Sequence, residues 1–244
     1  MTRFRLAALM LRPALAITLV LAEKLATLNA QMLSCSAAED RAARPTVATE
    51  PLAGVQRMRR PSFAASDFLP KLAFFERCSA EEIGELVAGA SYVELPRGHG
   101  VFASGLPAGA AFVVVRGAVE IVGAGGACER RIAVLGPGQL VGYLSVLRES
   151  RRSSSAYARE ACTLLEFPAA AFREAYFGPS RASSRLRHAV QASLLASMAR
   201  TNRGLTRLLS QAKLDAAPQA ELQLEAVLAT QITAVTTGPG QPSA

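Results

Sequence analysis

VGYLSVLRESRRSSSA, residues 141–156, sets a glycine, a short apolar turn, a basic loop and a row of hydroxyls in one run. Such an order suits a turn that holds an anion. On either side the chain is cut into short segments of β character by glycine and proline. Before it come SYVELPRG, GVFASG, AFVVVRG, AVEIVG and RRIAVLGPG, and after it CTLLEFP. Runs of four to six Val, Ile and Phe, broken every eight to twelve residues, predict an all-β sandwich or roll.

Helical patterns bracket this β region. DFLPKLAFFERCSAEEIGELVAGA begins near residue 66 and places Ser79 three residues before Glu82, the spacing of a capping box. Leu72, Phe75, Ile83 and Leu86 supply its apolar anchors. Downstream, FREAYF (172–177) predicts a short helix and residues 185–210 a long one. Leu186, Val190, Leu194, Met198, Thr201, Leu205 and Leu208 recur along the long helix at spacings of four and three. That seam is expected to pack on the roll, on a second copy of itself, or on both.

The 244 residues suffice for one ordinary domain with extensions. Half are hydrophobic and 19% charged, which argues against wholesale disorder. The net charge of +8 is mostly arginine, spread over Arg57, Arg59 and Arg60, Arg148, Arg151 and Arg152, and Arg200, Arg203 and Arg207 rather than gathered into one arm. Cys35, Cys78, Cys128 and Cys162 form no CxxC pair and have no histidine at ligand spacing, so no metal site is expected and the thiols read as reduced and cytoplasmic. His99, in a PRGHG turn, and His188, in a helical run, read as structural. No P-loop, metal motif or nucleophile elbow is present, and no catalytic residue is assigned.

Residues 1–33 read as an amphipathic helix. A signal peptide or a membrane anchor over residues 6–22 is the minor alternative, since Arg12-Pro13 and Glu23-Lys24 leave less than the roughly 20 apolar residues a span needs. Laid over the long helix, Leu21, Leu25, Asn29 and Met32 fall on Leu194, Met198, Asn202 and Leu205. Two helices of one design suggest that residues 1–33 are the remnant of a preceding repeat. Residues 34–65 are rich in Ala, Pro and Arg without a period and read as a linker. Residues 66–210 form the domain, and 211–244 a tail whose short helix carries Leu224, Leu228, Ile232 and Val235 on its apolar face.

The succession FLPKLAFF with SAEEI, LPRGHGVFASG, FVVVRGAVEI and VLGPGQLVGYLSVL, followed by the long helix, resembles the cyclic nucleotide-binding domain family over residues 66–210. This is the family of the cyclic AMP receptor protein and the protein kinase regulatory subunits. The resemblance implies an α+β fold, a jelly-roll-like β-roll flanked by an N-terminal helix and a long C-terminal helix. Gly98, Gly105, Gly117, Gly138 and Gly142 fall where that family turns its strands.

It also implies a phosphate-binding cassette from Gly142 to Ser155. Gly142 is then the turn glycine, Arg152 the phosphate arginine and Ser153 the adjoining hydroxyl and amide, with Ser154 and Ser155 following. Tyr143, Leu144 and Ser145 form the intervening turn, and Thr201 and Asn202 on the long helix are the candidates for contacting the base. Tyr143 stands where the family carries a ribose-binding carboxylate, and Arg151 where proline is frequent. Losing a charged hydrogen-bond partner costs about 1.5–3 kcal/mol.

The expected function is a non-catalytic regulatory module that takes cAMP, cGMP or a related anion without a further cofactor and signals through its C-terminal helix. The alternative is a ligand-free dimerisation module using the 186–208 seam. After Lys213 the sequence has no basic residue, so a phosphate-tracking recognition helix, and with it direct DNA binding, is not expected.

Overall fold

The computed structural model describes residues 16–31, 51–52, 55–59, 68–125 and 128–236, with side chains described for these except 124–130 and 212–236. Residues 6–15 of the anchor alternative, Cys35 and most of the 34–65 segment lie outside the described residues.

The elements are helix α1 (16–31), β1 (Arg57–Met58), a single 3-10 turn (Leu69–Lys71), α2 (Ala80–Val87), β2 (Ser91–Leu95), β3 (Gly100–Phe102), β4 (Ala110–Arg116), β5 (Val119–Gly125), β6 (Cys128–Leu135), β7 (Leu140–Val141), α3 (Tyr143–Leu147), β8 (Ser155–Ala158), β9 (Cys162–Pro168), α4 (Ala169–Phe177) and α5 (Arg181–Thr236). The strands make two antiparallel sheets, ordered β1-β2-β9-β4-β7 and β3-β8-β5-β6. This is the α+β roll between helices that the sequence predicts.

AAFVVV in β4 shows no alternation of polar and apolar residues because both faces of its sheet are covered. Phe112 and Val114 point between the two sheets, with Val101, Val119, Val141 and Leu164. Ala111, Val113 and Val115 point the other way, into a cluster with Phe75, Phe172, Tyr176, Leu186 and Leu194 from the helical elements. Strand β9 divides likewise, Leu164 inward and Leu165 and Phe167 toward the helices.

Local chemistry agrees with this frame. Both halves of the capping box form: the Glu82 amide donates to Ser79 Oγ at 3.2 Å, and the Ser79 amide donates to Glu82 Oε2 at 2.8 Å. Gly98, Gly105, Gly117, Gly138 and Gly142 all have φ between 70° and 82°. At Gly117 a Cβ would stand 2.5 Å from the Ala161 carbonyl oxygen, so the turn excludes a side chain for spatial as well as torsional reasons.

Three findings revise the sequence reading. First, the 34–65 segment is not wholly a linker. Arg57 and Met58 pair with Val93 and Tyr92, and Arg57 forks onto Glu166 with Nε to Oε2 at 2.6 Å and Nη2 to Oε1 at 3.1 Å. A two-residue strand has no period to detect. Second, Ser155 is not a pocket hydroxyl: it opens β8 and accepts from the Ser104 amide at 3.1 Å. Third, the long helix does not end at 210 before a separate short helix but continues to Thr236. Its seam fades after Leu208. The Ala, Leu, Gln and Glu that follow favour helix, and the helix runs on through Pro218, whose missing N–H removes one bond of the ladder at the place where the sequence predicts a break.

Candidate functional site

Strand β7 delivers the chain to Gly142, whose φ of 70° turns it into the five-residue helix α3. That helix closes with the Ser150 amide donating to the Ser145 carbonyl at 3.0 Å around Glu149, a non-glycine residue at φ 49°. The six-to-one bond over a left-handed residue is a Schellman closure. The returning chain is then fixed against the 105–107 loop. The Arg152 amide donates to Leu106 O, and the Gly105 amide to Arg152 O, each at 2.8 Å, while Arg151 Nη1 donates to Gly105 O at 2.7 Å. Arg151, which replaces a frequent proline, thus braces the loop from outside.

Arg152 is turned inward and is only 4% exposed. Its Nη1 donates to the Gly142 carbonyl at 2.5 Å, its Nη2 to the Ala110 carbonyl, and its Cζ lies 4.2 Å from the centre of the Phe102 ring. The buried Nε has no partner among the described residues. No described carboxylate pairs with this cation, and burial pulls its pKa down to about 10. A desolvated cation without a counter-ion is an anion site in electrostatic terms.

Tyr143 is also buried, and its hydroxyl has no hydrogen-bond partner among the described residues. Burial raises its pKa, and the nearby Arg200 guanidinium partly offsets this. Arg200 comes from α5, where its Nη2 donates to Ser197 Oγ at 3.0 Å.

These groups share one cavity of about 120 Å³. Eight of the nine residues assigned from sequence line it: Gly142, Tyr143, Leu144, Ser145, Arg152, Ser153, Ser154 and Thr201. The ninth, Asn202, does not. It lies on the exposed side of α5, because at 3.6 residues per turn the residue after an inward Thr201 is swung about 100° away. The cavity also takes Ser197 and Arg200 from α5, Phe102, Ile121, Ile132 and Leu135 from the strands, and Leu25 and Asn29 from α1. Ser197 stands four positions before Thr201, one turn along the same face, and Arg200 immediately precedes it, a spacing legible once the register is known. The α1 pair carried no signal beyond the echo of Asn29 on Asn202.

Helix α1 is built into the domain. Thr18, 1% exposed, hydrogen-bonds Tyr176 Oη at 2.9 Å, Ala22 and Leu25 are buried, and Asn29 Oδ1 accepts from Thr201 Oγ1 at 2.9 Å. The first half of the α5 seam is consequently occupied within the chain, with Leu186, Val190 and Leu194 at 3% exposure or less. Among the described residues no helix is long and apolar enough to cross a membrane.

Residues 92–177 match the family model described as the cyclic nucleotide-binding domain. The chain is 39% identical over 100 residues to the cyclic AMP receptor protein of Thermus thermophilus, covering 41% of this chain and 44% of that one. It is 31% identical over 91 residues to a CRP-like cAMP-activated global transcriptional regulator of Mycobacterium tuberculosis, covering 37% and 41%. The chain thus spans less than half the length of the relatives it matches. A cyclic nucleotide-binding domain from Methylobacillus flagellatus overlays with a TM-score of 0.49 at 20% identity, over 59% of this chain and 80% of that one.

Proposed function

Because residues 92–177 belong to the cyclic nucleotide-binding domain family, we propose that the chain is a regulatory module that binds a 3′,5′-cyclic nucleotide in the cavity between the 142–154 cassette and α5. The observation that carries this reading is the buried, counter-ion-free Arg152, lying in one cavity with the Ser153 and Ser154 hydroxyls. An entering cyclic phosphate supplies the missing charge. Its oxygens, stronger acceptors than neutral carbonyls, take over the Nη donors from Gly142 O and Ala110 O and reach the idle Nε. The Tyr143 hydroxyl serves the ribose as a neutral partner in place of the family's carboxylate.

The module is non-catalytic and needs no further cofactor: its cavity holds cation, hydroxyl and amide groups but neither a base-activated nucleophile nor a carboxylate pair. Output runs through α5, which contributes Arg200 and Thr201 to the cavity and extends well past the roll, so that occupancy biases the helix. Its target is a protein surface or a second copy of the chain, met by that helix. The unpaired thiols Cys78 and Cys162 suit a reducing cytoplasm.

A second reading, a ligand-free interaction module, draws support from the same arginine. Two of its donors are already engaged on backbone carbonyls, as in a latched, self-satisfied site. Calorimetric titration of the full chain with cAMP and cGMP, with Arg152→Ala alongside, separates the two. Saturable binding that weakens at least tenfold in the variant is the expected result, given the roughly 1.5–3 kcal/mol carried by a charged hydrogen-bond partner. No binding up to millimolar nucleotide overturns the first reading and leaves the second.

A further inference from the structure

We infer that Asn29 of α1 is the base-reading residue of this cavity, so that a purine cyclic nucleotide is recognised jointly by the cassette and by a helix more than a hundred residues away in sequence. The inference rests on the cyclic nucleotide reading above and names a contact that the cassette does not contain.

Thr18, Ala22, Leu25 and Asn29 form a single stripe along α1 at spacings of four, three and four. The first three are buried, Thr18 on Tyr176 and the two apolar residues in the helical core. The facing stripe of α5 runs Leu186, Val190, Leu194, Met198 and then Thr201. Both stripes change from packing residues to polar ones at the same level, where Thr201 Oγ1 donates to Asn29 Oδ1 at 2.9 Å. Both residues line the cavity there, with Leu25 and Leu144.

Packing alone does not call for this pair. A leucine at 29 would continue the stripe and a leucine at 201 the seam. What an amide held by a hydroxyl provides is orientation. With Oδ1 fixed on Thr201, the two N–H donors of the Asn29 amide have no other partner among the described residues. The acceptor edge of a purine, lying between apolar walls, is the matching chemistry. The cassette supplies the cation and hydroxyls for the cyclic phosphate, and the α1–α5 pair supplies the amide for the base. Because α1 reaches this place only when docked, base contact also holds α1 in place.

The test uses the full chain, titrated with cAMP, cGMP and the pyrimidine cyclic CMP. Asn29→Ala is expected to weaken the preferred purine nucleotide roughly tenfold and to leave cyclic CMP within about twofold, so that purine selectivity collapses. Thr201→Val, which frees the amide to rotate, moves the selectivity in the same direction by less. Hydrogen exchange over residues 16–31 slows on adding the purine nucleotide to the native chain and does not slow in Asn29→Ala. An equal loss for all three nucleotides in Asn29→Ala reduces Asn29 to a docking residue and overturns the assignment, as does no loss or the lack of purine selectivity in the native chain. Binding that depends on Arg152 but not on Asn29 overturns this inference alone. If the native chain binds none of the three, the nucleotide reading fails and this inference with it.

Discussion

The guanidinium carbon of Arg152 sits 4.2 Å above the ring centre of Phe102, a residue of the neighbouring strand β3. The ring gives the buried cation a weak electrostatic partner, worth roughly 0.5–2 kcal/mol, where a carboxylate would have cancelled its charge. The arginine is therefore held in place yet left attractive to an anion, and the cavity's remaining orphaned groups bear on what substitutions will do.

The hydroxyl of Tyr143 is desolvated without a partner among the described residues, a condition that costs about 1–3 kcal/mol. Tyr143→Phe removes the hydroxyl and keeps the ring. Thermal unfolding of the ligand-free variant should show stability raised by about 1 kcal/mol, while nucleotide affinity falls if the hydroxyl serves the ribose. A destabilised variant would mean that the hydroxyl is already satisfied.

Gly142 and Gly117 both have positive φ, but a side chain meets different neighbours at each. A Cβ at Gly142 comes within 2.5 Å of Arg152 Nη1 and 2.8 Å of Phe102 Cε1. Gly142→Ala should cost about 1–2 kcal/mol for the left-handed backbone and also displace the arginine, so ligand binding is lost. At Gly117 the obstruction is the Ala161 carbonyl and Cys162. Gly117→Ala should destabilise by at least about 2 kcal/mol with the affinity of the folded fraction unchanged. Unfolding curves and titrations of the two variants, run in parallel, check the separation.

Glu149 holds the left-handed position of the Schellman closure at φ 49°. Glu149→Gly removes a torsional strain of about 1–2 kcal/mol. Against this stand the greater backbone entropy of glycine and an exposed ion pair with Arg173. A net gain of about 0.5 kcal/mol in denaturant unfolding is expected, and a net loss would assign the ion pair a greater weight than exposed pairs carry.

Burial lifts the Cys162 thiol to about 12, helped by the Glu160 carboxylate. The unfolded chain therefore gives up this proton at lower pH than the folded one. The thiol's contribution to stability is complete below about pH 9 and is lost as pH rises toward 12. Unfolding free energy measured across that window should fall less steeply in Cys162→Ala. An unchanged slope would show that the thiol ionises equally in both states.

Much of this molecule was legible in order and spacing. Short apolar runs between glycines identify the roll. Ser79 and Glu82 identify a helix start, and the left-handed glycines the turns, because each depends on interactions within a few residues. The stretch read from Gly142 to Ser155 is likewise continuous with a local closure, and all of it that the cavity takes ends at Ser154, since Ser155 opens β8. What tertiary structure decided is what no short window contains. It turned Thr201 in and Asn202 out, since one residue along a helix is a swing of about 100° and only the packed neighbours set its phase. Among the described residues it gave Arg152 no counter-ion and Tyr143 no partner, which depends on whichever groups the fold gathers around them. It also brought α1 against α5, so that Asn29, read from sequence only as an echo of the long helix, became part of the cavity wall. Local sequence determines the elements. Burial and contact between distant ones determine the site.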